Sequence, residues 1–118
     1  MNNLRILILQ SSLISKLPLS LGKLKNLTEL DLRYTRKLES VPDEIGSLDN
    51  LQKLAARESY ISSLPNSIGQ LKNLKDLDLS RTKKLQSLPG EIGNLSNLHK
   101  LNVSDGQIFH HYPILLET

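Results

Sequence analysis

Leucine and isoleucine recur along this chain in a fixed frame. The phrase Leu-x-x-Leu-x-Leu comes five times, as Leu4/Leu7/Leu9, Leu27/Leu30/Leu32, Leu51/Leu54/Ala56, Leu74/Leu77/Leu79 and Leu98/Leu101/Val103. Its second half alternates apolar and polar, the period-two pattern of a strand that buries one face. Five short strands are predicted, near residues 5–8, 28–31, 52–55, 75–78 and 99–102. Between them runs a second phrase: LPLSLGKLKNL from Leu17, VPDEIGSLDNL from Val41, LPNSIGQLKNL from Leu64 and LPGEIGNLSNL from Leu88. Proline sets φ where the chain leaves the core, and Ile-Gly-x-Leu is expected to turn it back through a short helical or 3-10 piece.

The frame is strict. Pro18, Pro42, Pro65, Pro89 and Pro113 follow one another at steps of 24, 23, 24 and 24 residues. Asn3, Asn26, Asn50, Asn73 and Asn97 recur in the same frame, at steps of 23 or 24, as do Gly22, Gly46, Gly69 and Gly93. One such unit cannot bury its leucines alone, so successive units stack, with parallel strands roughly 4.8 Å apart. The in-frame asparagines are placed to bond backbone groups that a tight coil leaves unpaired. Coils of residues 4–26, 27–50, 51–73, 74–97 and 98–118 are expected within a single domain spanning 1–118. Coils two and four carry one extra residue, before Leu38 and Leu85, and match each other at fourteen positions, including Asp31/Asp78, Thr35/Thr82 and Lys37/Lys84. The natural unit is therefore a 47-residue pair of coils, duplicated.

This period and these phrases are those of a leucine-rich repeat. LDLRYTRKLESVPDEIGSLDNL and LDLSRTKKLQSLPGEIGNLSNL resemble intracellular plant leucine-rich repeats, especially those of nucleotide-binding disease-resistance proteins, over residues 4 to 106. Plant Ras-group repeat proteins and bacterial effectors that imitate host repeats use similar phrases. The fold expected is α/β: a right-handed leucine-rich repeat solenoid with five short parallel strands on the concave face and helical or 3-10 turns on the convex side. Leu30, Leu54, Leu77 and Leu101 are expected among the most buried side chains, with Ile45, Ile68 and Ile92 behind them. The resemblance implies a ligand-sensing or partner-binding surface and a link to defence or signalling. It does not bring over a signalling activity, because the nucleotide-binding domains of that family have no counterpart in this sequence.

Composition narrows the function further. Only 3% of residues are aromatic, and the core is left to Leu and Ile. A net charge of +3, with basic and acidic residues interspersed, does not indicate nucleic-acid binding. Without cysteine, disulfides, thiolate zinc sites and a Cys nucleophile are excluded. The apolar run in MNNLRILILQSS is too short for a signal-peptide core or a membrane span, so a cytoplasmic protein is expected and its three glycosylation sequons, at Asn26, Asn94 and Asn102, are read as chance.

The informative residues are those between and after the strand leucines, which face the concave side. The first row across the five coils is Ile6, Glu29, Lys53, Asp76 and Lys100; the second is Ile8, Asp31, Ala55, Asp78 and Asn102. Beyond them come Gln10, Arg33, Arg57, Ser80 and Ser104, then Ser11, Tyr34, Glu58, Arg81 and Asp105. The candidate partner-binding residues are Glu29, Asp31, Arg33, Tyr34, Lys53, Arg57, Glu58, Asp76, Asp78 and Arg81, since Arg and Tyr are enriched at interface hot spots and the acids set charge complementarity. Asp31 and Asp78, two strands apart at roughly 9 to 10 Å, approach the spacing of an inverting glycosidase pair. An open sheet would desolvate neither, so solvated ion pairs with Arg33, Arg57 and Lys53 are expected and no catalytic residue is assigned. His99, His110 and His111 lack ligand spacing, so no metal site or cofactor is assigned either. Arg36-Lys37 and Lys83-Lys84 fall on one rim, two coils apart, as a solvated edge that can attract acidic partners or phosphate.

The function expected is a non-enzymatic interaction module for a protein or peptide, with no nucleic-acid or membrane partner. The alternative is a scaffold or fragment of a larger receptor without a ligand of its own, and an enzyme is a remote third. At the ends, Phe109, Tyr112, Pro113 and Leu116 are expected to close the fifth coil, and the apolar edge strand around Ile6 and Ile8 is a candidate for self-association.

Overall fold

The computed structural model describes residues 3–106. Five parallel strands form one sheet in chain order: β1 (Ile6–Ile8), β2 (Glu29–Asp31), β3 (Lys53–Ala55), β4 (Asp76–Asp78) and β5 (Lys100–Asn102). Four 3-10 turns return the chain: η1 (Leu19–Lys23), η2 (Asp43–Ser47), η3 (Asn66–Gln70) and η4 (Gly90–Asn94). The architecture is the solenoid expected from the repeat. Each strand starts one residue later than predicted, and from β2 to β5 the residue before the strand shares with its first residue a carbonyl of the preceding coil. The N–H groups of Thr28 and Glu29 both donate to the Arg5 carbonyl, at 2.7 and 3.1 Å.

Register follows the leucine frame. Ile6, Glu29, Lys53, Asp76 and Lys100 lie side by side, as do Ile8, Asp31, Ala55, Asp78 and Asn102. A slip of one residue would turn Leu30, Leu54 and Leu77, all buried, out to solvent. Burying one such leucine is worth roughly 1.5–3 kcal/mol, which repays the ordering of a three-residue strand only when neighbouring coils supply the contacts. Ile45 and Ile68 are fully buried behind the sheet, whereas Leu101 and Ile92 are only half-buried. These two fall short of the expectation because described neighbours cover them from one side only.

Each return begins at a proline in extended conformation, with φ between −64° and −71°, and closes with a Leu N–H donating to the Ile or Leu carbonyl three residues back. The glycines Gly22, Gly46 and Gly69 of the first three turns are there for room and not for backbone freedom, since no described glycine has positive φ. A Cβ on Gly46 would sit 2.7 Å from the Ser67 carbonyl oxygen, and one on Gly69 2.6 Å from that of Glu91. The 3-10 turns therefore stack backbone against backbone. Outside them, the Asn50, Asn73 and Asn97 amides donate to the carbonyls of Lys25, Asp49 and Lys72, each at 2.7 Å. This is the role predicted for the in-frame asparagines. The proposed closing segment with Phe109, Tyr112, Pro113 and Leu116, and also His110 and His111, lies outside the described residues.

Candidate functional site

Immediately after each strand the chain turns through the left-handed region. Ser11, Tyr34, Glu58, Arg81 and Asp105 have φ of 61°, 61°, 56°, 56° and 57°. Four of these N–H groups extend the ladder between coils: Ser11 to the Arg33 carbonyl, Tyr34 to Arg57, Glu58 to Ser80 and Arg81 to Ser104, at 2.8 to 3.0 Å. The stack thus imposes the turn on whichever residue stands there, at about 1–2 kcal/mol for a residue with a Cβ. Asp tolerates that conformation comparatively well, whereas Tyr, Glu and Arg do not. The sequence shows the row but not its backbone strain, because no glycine marks it.

The charged rows divide into two groups. Asp31 is only 3% exposed, contrary to the solvated pair expected. Arg33 folds back over it: its Nε donates to Asp31 Oδ1 at 2.9 Å, one terminal nitrogen to Oδ2 at 2.8 Å, and its backbone N–H to Oδ1 at 3.0 Å. Burial pushes the Asp31 carboxyl upward, but the Arg33 hydrogen bonds and the charges of Arg33 and Lys53 outweigh it and hold the group below its ordinary value. Arg33 is raised in turn by the same carboxylate, and also reaches coil one, donating to Gln10 Oε1 at 3.0 Å. Asp78 and Asn102 repeat the local part of this arrangement, accepting the Ser80 and Ser104 N–H groups at 2.9 and 3.0 Å. These second-row side chains fasten the turn, so buried Asp31 and half-buried Asp78 are scaffold residues. Both Asp31 oxygens are occupied by Arg33. Ala55, in the same row, is buried where a facing position was expected.

The remaining candidates stay accessible. Glu29 and Asp76 are half-buried and Lys53 is exposed, alternating in sign across adjacent strands. Arg57 donates to the Ser80 hydroxyl at 3.2 Å and does not pair with either aspartate. Glu58 lies between two arginines, 3.2 Å from Arg81 and 3.9 Å from Arg36. The structure thus gathers Arg33, Tyr34, Arg57, Glu58 and Arg81 along the turn that borders the sheet, while Glu29, Lys53 and Asp76 lie on the strands. It adds a residue not picked from sequence. Tyr60 lines a hollow of ≈160 Å³ with Arg36, Glu58, Arg81 and Lys83. Its signal was positional: it stands in coil three beside the loops that carry the inserted residues. No group of acids and histidines that could hold a metal occurs among the described residues, and none of their helices could cross a membrane.

The sequence matches a family model described as a leucine-rich repeat region over residues 1–108. Among solved structures, it is similar to a leucine-rich repeat protein of Leptospira interrogans at 34% identity and TM-score 0.60, covering 89% of this chain and 32% of that one. It is also similar to the leucine-rich repeat domain of the type III effector XopL at 32% identity and TM-score 0.72, covering 77% and 33%. A third similar structure is the plant peptide hormone receptor RGFR1 in complex with RGF2, at 28% identity and TM-score 0.59, covering 80% and 20%. The chain spans a third or less of each of these solved chains. Among curated proteins there is no match.

Proposed function

Because the chain belongs to the leucine-rich repeat family, we infer that it is an interaction module that takes a protein or peptide on its concave sheet and the bordering turn. The carrying observation is the alignment of Arg33, Tyr34, Arg57, Glu58 and Arg81 on successive coils by an unbroken parallel register. Flexible cations on a rigid ladder can contact an extended chain at intervals of roughly 4.8 Å. The similar receptor solved in complex with RGF2 supports a peptide as the class of partner. The resemblance to disease-resistance repeats supports a role in defence or signalling, carried out in the cytoplasm.

Peptide display against the purified chain tests this, followed by titration of the selected peptides against Tyr34→Ala and Arg57→Ala. These two are better probes than Arg33→Ala, which would leave the buried Asp31 carboxylate unpaired. An affinity loss of about tenfold or more is expected, with the melting temperature held. Unchanged affinity for every selected peptide would remove this face from the function.

A further inference from the structure

The two inserted loops add cations beyond those on the strands. In each, a buried threonine ties the loop down: Thr35 and Thr82 donate to the carbonyls of Leu32 and Leu79 at 2.7 and 2.6 Å. The Leu38 and Leu85 N–H groups then close the loop onto the threonine carbonyls, at 3.3 and 3.2 Å. With both ends fixed, the intervening residues Arg36, Lys37, Lys83 and Lys84 are all exposed. Coil three has no insertion, and Tyr60 fills the gap between the loops. Its N–H donates to the Thr35 carbonyl at 3.3 Å, and the Lys84 ammonium lies 6.0 Å from its ring centroid. Arg81 joins this rim from the left-handed turn and reaches the same hollow.

We propose that the hollow and its basic rim bind an acidic segment of a partner protein, with Arg36, Arg81 and Lys83 receiving its carboxylates and Tyr60 packing against its backbone or apolar stems. The proposal rests on the partner-binding reading above and names the partner's chemistry. Charge complementarity carries it. Three cations and an aromatic ring converge on the hollow, and the acid among them, Glu58, already holds Arg81 and Arg36 as an incoming carboxylate would. Glu58 is thus an internal competitor, displaced when a partner arrives. Its backbone lies in the left-handed region, as does that of Arg81, so neither residue is the conformationally easy choice there. The rim ends at coil four, since the next residue of that row, Asp105, is an acid and would repel the same segment.

Fluorescence anisotropy with a labelled peptide rich in Asp and Glu tests this. An Asn/Gln counterpart and a labelled oligonucleotide of equal charge serve as comparators. The acidic peptide should bind in preference to both, and more weakly as salt is raised. Arg36→Glu with Lys83→Glu should weaken it on the order of tenfold, by reversing two rim charges. Glu58→Gln should instead tighten it, an outcome that mere loss of structure cannot mimic. Equal binding of the Asn/Gln peptide, tighter binding of the oligonucleotide, or no gain from Glu58→Gln would each overturn the proposal. Loss in Arg57→Ala with no response to the rim variants would overturn it while leaving the concave-face reading in place. Loss in the rim variants alone would uphold it and remove the concave-face reading.

Discussion

Thr35 and Ser59 occupy equivalent positions in successive coils and both are buried, yet their hydroxyls meet different surroundings. That of Thr35 donates to the Leu32 carbonyl, whereas that of Ser59 has no hydrogen-bond partner among the described residues. Thr35→Val keeps the shape and strands a buried carbonyl, so it should cost about 1–3 kcal/mol in chemical denaturation. Ser59→Ala removes an unpaired hydroxyl and should be neutral or slightly stabilising in the same measurement. Asp31 carries the pH dependence. Its carboxyl is lower in the folded chain than in the unfolded one, so its contribution is full above the ordinary carboxylate value. The contribution fades as pH falls below about 4, through the folded value. Asp31→Asn should therefore lower stability at neutral pH and flatten its acid limb in denaturation series run from pH 7 downward. Its burial was not legible in the sequence, which displays Asp31 and Arg33 as two charges on one face. Only the fold-back of the arginine, two residues further on and past the end of β2, turns that pair into a covered one.

At the scale of the element, the strands were legible because Leu-x-Leu alternation allows one buried face and no other. The 3-10 turns were legible too, from proline at one end and a short apolar pair inside. The reason for their glycines was not, since sequence does not distinguish backbone freedom from a lack of room. The two causes predict different mutants. With room as the cause, Gly46→Ala and Gly69→Ala should each lose about 1–3 kcal/mol, because a Cβ would meet the next turn's backbone. Gly93→Ala, with nothing described within 4 Å, should be tolerated or slightly stabilising. Thermal melts of the three single variants decide the matter. Equal losses at all three positions would restore backbone freedom as the cause. The rows of the concave face were likewise legible as positions, but which side chains fasten the turn and which remain available depends on rotamers and on the left-handed backbone.

For the molecule as a whole, each strand and each 3-10 turn contacts only its neighbours in the stack. Stability therefore accumulates along one dimension, and an open end shows its core. At β1 that end is apolar: Ile6 is 50% and Ile8 63% exposed, beside a hollow of ≈290 Å³ lined by residues such as Leu7, Leu9, Leu17 and Leu21. An apolar edge strand of this kind is a template for pairing, either with a preceding coil or with a second copy of the chain, and we propose self-association as the case to test. Ile6→Lys with Ile8→Lys should abolish a concentration-dependent dimer in sedimentation without lowering the helical and strand content seen by circular dichroism. A strict monomer for the unaltered chain at high concentration would rule the dimer out.

The alternation of shorter and longer coils has a consequence for how such a chain can change its length. Coils two and three together form a cassette of 47 residues, 27–73, whose two boundaries fall at the same point of the repeat. Excising it joins Asn26 to Leu74, so a short coil is again followed by a long one, and Gly22 meets the turn containing Glu91 instead of the one containing Glu44. Removing coil two alone would instead place two short coils, one and three, side by side and break the alternation. The shortened chain should still fold, with a lower melting temperature but cooperative loss of its circular dichroism signal, whereas deletion of 27–50 alone should be worse than its smaller size warrants. The unit in which this protein can be copied, lost or grafted is the pair.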